Sequence, residues 1–370
     1  MKTFDCKCGN TLHFPNTQCV RCKSMLGFLP DTLQVSPISQ VCVDELNRAV
    51  YESPNSSRQY HQCDNYSQHQ VCNWMVDTED SDDSDTLCRS CRLNQVIPNL
   101  SDEKNTKLWF HLESAKRRLL YTLFKLDLPV VGKDKKPETG LGFKFAEDEI
   151  EDEYGNELFI KNYVTTGHSS GLITINLNEA DPSSRIEMRE KMRERYRTLL
   201  GHFRHESGHY YWNCLIEDTP YIDECRELFG DERMSYQQAM KTYYDNGPSK
   251  NWQNVWISAY ASMHPWEDWA ETWAHYMHMV DTLETANQFE FTIAGNKLSN
   301  PLDAHPHNNA LTTEMHFTKL FDDWCALTFS LNALNRSMGL DDAYPFVISI
   351  SALNKLRFVH RVVEESALIV

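Results

Sequence analysis

Long apolar runs are what this sequence most lacks. No stretch approaches the roughly eighteen consecutive apolar residues of a membrane-spanning helix. The opening MKTFDCKCGN has no apolar run of the kind a secretory leader needs, so the expectation is a reducing, cytoplasmic compartment and no membrane association. Positive charge is short as well: 36 Lys and Arg stand against 53 Asp and Glu, a formal charge of -17. That balance argues against a broad electrostatic grip on nucleic acid, and Arg21, Lys23 and Arg58 make no basic patch. EF-hand spacing is absent from the acidic EDEIEDEYGNE at 147–157, which reads as an exposed loop or hairpin, and TEDSDDSD at 78–85 reads as a solvated loop. No internal repeat is visible beyond two groups of cysteines.

Cysteine itself is plentiful. Nine of the twelve precede residue 92, and eight of these fall into two groups: Cys6, Cys8, Cys19 and Cys22, then Cys63, Cys72, Cys88 and Cys91. C-x-C and C-x-x-C pairs separated by a loop are the spacing of four-thiolate tetrahedral sites, and so short a segment has little hydrophobic core to hold it otherwise. The first group, with Cys8-Gly9 and CVRC as knuckles, reads as a zinc ribbon. In the second, the interval from Cys63 to Cys72 is irregular, which leaves His61 or His69 as rival ligands and exchange between the groups open. Four thiolates would also accept iron. Disulfides are the competing use of the same residues, and they belong to oxidising compartments. Docking of a protein partner, or a purely structural role, suits ribbons in an acidic chain better than nucleic acid does. Cys42, Cys214, Cys225 and Cys325 are scattered and read as small buried apolar residues.

The segment HESGH, His205 to His209, fits H-E-x-x-H. On a helix, positions i and i+4 share a face, so two imidazoles can hold one metal ion while Glu206 stands over the attacking water as general base. Asp181-Pro182, or a capping box of Ser184 with Glu187, predicts a helix start near 182. Met192, Tyr196, Leu199, Leu200 and Phe203 continue into Tyr210 and Tyr211 as its buried stripe. Catalytic zinc usually takes three protein ligands, so one is missing. HPWEDWAETWAHYMHM supplies Glu267 as that ligand and Glu271, one turn on, as the carboxylate that orients an imidazole. Asp268, His264 and His275 are rivals on the same segment, and Trp266, Trp269 and Trp273 among the acids suit a partly buried site.

A histidine pair followed by Glu267-x-x-x-Glu271 resembles the gluzincin metallopeptidases, and in detail the catalytic domain of anthrax lethal factor. That resemblance implies that Tyr260, seven residues before Glu267, donates to the oxyanion of the tetrahedral intermediate. CKCGN, CVRC and LGF, CNW and CRSCRLN, TLLGHFRHESGHYYW, and SAYASMHPWEDWAETWAHYMH together are similar to a bacterial family of zinc-binding metallopeptidases with an amino-terminal zinc ribbon. In such enzymes the strand before the zinc helix often pairs with extended substrate at a sheet edge. GLITINLNEAD at 171–181 is the matching strand, with Gly171 and Ile173 as weak substrate contacts.

The expected architecture is α+β: a ribbon region over 1–98 with two four-cysteine sites, then a mainly helical peptidase domain with a small sheet over 99–370. Helices are predicted at 108–126, 314–335 and 350–365, the first with Leu108, Leu112, Leu119, Leu120 and Leu126 on its stripe and the second with Met315, Leu320, Trp324, Leu327 and Leu331. The expected cofactors are three zinc ions, one catalytic and two structural. The expected activity is hydrolysis of a peptide or protein substrate. A metal-stapled adaptor that keeps the hydrolase fold without turnover is the reading from another class, and nothing in the sequence defines a specificity pocket.

Overall fold

The computed structural model describes residues 2–79, 85–153, 157–186, 198–302 and 310–366. Its contacts gather into two compact units, residues 1–121 with 130–200, and residues 122–129 with 201–370. Packing therefore divides the chain elsewhere than at residue 98.

The first unit is built on short strands. β1 (Phe4–Asp5) and β2 (Thr11–Leu12) pair antiparallel across a turn in which Gly9 takes φ +76°, a conformation glycine adopts without steric cost. β3 (Leu26–Leu29) and β4 (Gln34–Pro37) form a hairpin, and β5 (Ser39–Val43), β6 (Ala49–Glu52), β7 (Gln59–Gln62) and β8 (Met75–Asp77) form an antiparallel meander. Helix α1 (Glu103–Lys125) buries Leu112, Leu119 and Leu120 as its leucine stripe predicts. Tyr121 meets Phe14 and Phe28 edge-on at 5.8 and 6.4 Å, and Arg117 donates to the Val71 carbonyl at 2.6 Å. These contacts join α1 to the cysteine-bearing segments, which is why the unit extends past 98.

β9 (Asn94–Val96), β10 (Gly142–Ala146), β13 (Gly167–Ser169) and β14 (Leu172–Asn176) make a sheet in the order β13-β14-β10-β9. β11 (Glu149–Glu153) and β12 (Glu157–Asn162) form the hairpin expected of the acidic stretch. The substrate-facing role expected of Gly171 and Ile173 meets a correction here. Ile173 pairs with Phe143 on one side and His168 on the other, and its side chain is fully buried. Gly171 takes φ +78° in the preceding turn, against the backbone of Thr139 and Gly140. Alternating apolar residues announce a strand but not how many neighbours it has, and β14 has two.

Helices make up most of the second unit: α2 (Leu199–Leu215), α3 (Ile222–Phe229), α4 (Tyr236–Asn246), α5 (Pro265–Gln288), α6 (Ala310–Ser337) and α7 (Ile350–Ser366). Asp181 does cap a helical turn, accepting from Ser183 N at 2.8 Å, but the described helix ends at 186. Glu187, Met192 and Tyr196 lie outside the described residues, Thr198 is not helical, and α2 begins at Leu199. Helix α5 packs against both α6 and α7, and Trp269, Trp273, Met277, Leu356 and Val359 are fully buried. Met315, expected in the α6 stripe, is 66% exposed. No described helix is long and apolar enough to cross a membrane.

Candidate functional site

The HESGH motif lies within α2, where the 3.6-residue repeat places His205 and His209 on one face with ring centroids 4.9 Å apart. Helix α5 starts cleanly: the His264 side chain accepts from Trp266 N, and Pro265 occupies the first turn, where its missing N–H costs nothing. The two helices come very close at Gly208. A Cβ there would lie 2.9 Å from Ala270 Cα and 3.2 Å from Trp273 Cβ, so only glycine permits this approach. Trp269 Nε1 donates to the Gly208 carbonyl at 2.9 Å and Trp273 Nε1 to Ser207 Oγ at 3.2 Å. The tryptophans therefore set the helix spacing that the ligands require.

Across this contact, Glu267 Oε2 lies 2.9 Å from His205 Nε2, and Glu267 Oε1 lies 3.6 Å from His209 Nε2. All three residues are buried, and one ligand atom from each falls within 4.8 Å of the others, the donor set of a three-ligand zinc site. Burial pushes the Glu267 carboxyl up, but the two imidazoles outweigh it and hold the group well below the usual carboxylate range. Burial likewise works against a proton on His205, and the hydrogen bonds and charges of Glu267 and Glu271 more than reverse that, raising its pKa. A metal ion would displace that proton.

Glu271 Oε1 sits 2.7 Å from His205 Nδ1, the second-sphere arrangement that fixes an imidazole for ligation, and Glu271 Oε2 accepts from Ser258 Oγ at 2.6 Å. Glu206 is buried, and its Oε2 has no hydrogen-bond partner among the described residues. That suits a carboxylate whose partner is an attacking water. The rival ligands are engaged elsewhere: Asp268 pairs with Lys355 at 2.6 Å, His275 Nδ1 faces the Tyr344 hydroxyl at 2.7 Å, and His264 caps α5.

Tyr260 stands beside the site, its ring 5.9 Å from that of His205. Burial, with the charge of Glu267, pushes its pKa well up and keeps the hydroxyl protonated. A second hydroxyl escaped the sequence reading: Tyr236, in the first turn of α4, donates to Glu267 Oε1 at 2.8 Å. Its only local signal is Ser235, which caps that helix by accepting from Gln238 N. The Tyr211 hydroxyl, on the buried stripe of α2, is spoken for: it donates to the Pro129 carbonyl at 3.0 Å, and its ring stacks on Trp273. Arg204 was also illegible in sequence. It is buried and bonds Asp281 and His278, tying α2 to α5 beside the histidines.

The cysteines separate into the two groups their spacing suggests. Cys6, Cys8, Cys19 and Cys22 have their sulfurs within 4.8 Å of one another, as do Cys63, Cys72, Cys88 and Cys91. The Cys6–Cys22, Cys8–Cys19 and Cys72–Cys88 separations are 3.6, 3.7 and 3.7 Å. Those are the edges of a tetrahedron with bonds of about 2.3 Å to zinc, far longer than a disulfide. Neither His61 nor His69 joins a cluster: His61 Nδ1 faces the Ala49 carbonyl, and His69 lies against Trp109. Burial raises the pKa of the Cys72 thiol, but hydrogen bonds from the other three sulfurs and the charge of Arg117 outweigh it and lower it well below its ordinary value. Arg117 thus brings a buried cation to a tetrathiolate. Cys42 and Cys214 are exposed, contrary to their expected burial.

Comparison with known proteins agrees with this geometry. Residues 105–362 match the family described as "Putative zinc-binding metallo-peptidase", and residues 3–102 match a zinc-ribbon domain. Uncharacterised proteins of Mycobacterium bovis and Mycobacterium tuberculosis are each 39% identical over 369 residues, covering 99% of this chain and 96% of theirs. No solved structure matches, so the likeness to lethal factor rests on the spelling of the helices alone. Two helices that bring His205, His209 and Glu267 to one point, and a family match that spans both of them, lead to one assignment: the chain belongs to this zinc-binding metallo-peptidase family and carries its zinc ribbon at the amino-terminal end.

Proposed function

We propose that the chain hydrolyses peptide bonds at a zinc site formed by His205, His209 and Glu267. The observation that carries the reading is the pairing of that buried ligand set with Glu206, a buried carboxylate on the helix of the two histidines whose Oε2 has no hydrogen-bond partner among the described residues. Zinc, when bound, supplies Lewis acidity for the scissile carbonyl and makes water acidic enough to attack at neutral pH. Glu206 takes the proton of the attacking water and returns it to the leaving nitrogen. Glu271, steadied by Ser258, holds His205 in the tautomer that presents Nε2. Tyr260 donates to the oxyanion, and Tyr236 holds Glu267 in place through its 2.8 Å bond.

The two cysteine clusters hold one structural zinc each, which makes the reading one catalytic and two structural ions. Eight thiols gathered as clusters suit a reducing, cytoplasmic setting, and the ribbons offer a surface for a protein partner.

Glu206→Gln tests the chemistry apart from metal binding. The variant should retain its zinc and melting temperature while losing about 10²–10⁴-fold in cleavage, the usual worth of a general base. New protein N-termini that appear in the native host with wild type, and not with the variant, would define both activity and cleavage consensus. Equal N-terminal profiles for the two proteins would favour the adaptor reading and sink this one.

A further inference from the structure

A second cluster with metal-ligand chemistry lies in the same unit but shares no residue with the HESGH site. His360 and Glu364 stand one turn apart on α7, and His316 faces them from α6. One ligand atom from each lies within 4.8 Å of the other two. The His316 and His360 ring centroids are 5.0 Å apart, and His316 Nδ1 is 3.4 Å from Glu364 Oε1. That last distance matches the edge, about 3.3 Å, of a tetrahedron with bonds of about 2.0–2.1 Å to zinc.

Two further observations favour an ion. His360 is fully buried and its Nδ1 lies 3.0 Å from the Tyr276 hydroxyl, so a metal would be taken by Nε2, with Tyr276 from α5 orienting the ring as an outer-sphere partner. Glu364 is 7% exposed, and an ion shared with the two imidazoles would offset the charge of a carboxylate held that far from water.

We propose that His316, His360 and Glu364 form a second site for a divalent transition-metal ion, with zinc as its occupant, that joins α6 to α7. The site is independent of the peptidase reading and would stand if that reading fell. Its charge logic also admits a plain His316–Glu364 ion pair, which the experiment separates from metal.

The test is zinc content of the full-length protein by elemental analysis, together with anomalous diffraction at the zinc edge. His360→Ala would empty a buried position and risk the fold, so Glu364→Gln and His316→Ala are the informative variants. Wild type should carry one zinc equivalent more than either, and an anomalous peak should lie between His316 and Glu364. In a His205→Ala/His209→Ala background, which disables the principal site, this equivalent should persist and be lost on adding His316→Ala. Equal zinc content in wild type and both variants, or no anomalous peak at the cluster, would overturn the proposal in favour of the ion pair.

Discussion

The cysteine clusters and the HESGH site solve one problem, gathering donors around a cation, in opposite ways. Each cysteine group draws its four ligands from a span of under thirty residues, on turns and short elements such as the Gly9 knuckle. The HESGH site draws its ligands from two long helices, with His209 and Glu267 separated by 58 residues and their distance fixed by the Gly208–Ala270 contact. The first arrangement makes metal the core of its segment. The second builds its core from packed helices and leaves the donor set to a metal, and the proposed mechanism uses that freedom to give Glu206 to the water rather than to the ion.

This contrast can be broken most forcefully by removing metal. Structural zinc contributes about 10–16 kcal/mol to folding of small metal-dependent modules. Cys72→Ser, or exhaustive chelation, should therefore abolish protected amide hydrogens around β7, β8 and the Cys88–Cys91 turn, as measured by hydrogen exchange. His205→Ala should lose one zinc and leave α2 and α5 protected. Equal loss of protection in the two variants would show that the HESGH site is a metal staple as well.

Next in size is the ion pair beneath the site. Asp268 and Lys355 are both almost fully buried, 2.6 Å apart, and link α5 to α7. Lys355→Met removes one partner and leaves a buried carboxylate, a change that typically costs about 3–5 kcal/mol. Asp268 already has its pKa raised to about 7 by burial, partly opposed by Lys355, so loss of the lysine should raise it further. A folded-state carboxyl pKa above the unfolded value costs stability as pH rises toward the folded value; both proteins share that loss up to about 7 and only the variant continues it, so the deficit should grow as pH rises past about 7. Chemical denaturation across that range checks both size and slope, and a flat deficit would place the pair outside the stability of α5.

The smallest effects concern the hydroxyls. Tyr260→Phe should lower kcat by about 100-fold with KM and zinc content unchanged, the usual worth of one oxyanion donor. Tyr236→Phe removes a bond to Glu267, so it should weaken zinc affinity more than it slows the zinc-loaded enzyme. If the two phenotypes are exchanged, Tyr236 is the oxyanion donor and Tyr260 the support.

What could be read from the sequence follows the range of the interaction involved. HESGH, the Glu267–Glu271 pair and the cysteine groups are set by spacing along one element or one turn, and all could be named from residue order. Tyr236, Arg117, Arg204 and Lys355 could not, because each earns its role only when a distant segment arrives: Glu267, Val71, Asp281 and Asp268 respectively. Residue order also misjudged neighbours. Ile173 alternates like an edge strand yet pairs on both sides, and Met315 fits an apolar stripe yet faces solvent, since a repeat fixes the face of an element and not what covers it.

The Gly208 contact also sets a clock. On a growing chain both cysteine groups are complete once residue 91 has emerged, and each can take a metal as soon as its knuckles close. The HESGH helix then waits through 58 more residues for Glu267, and the wait ends only when Trp269 and Trp273 have seated α5 against Ser207 and Gly208. Glu267 is therefore made long after the two histidines, and the His205–His209–Glu267 donor set cannot assemble before α5 has packed on α2.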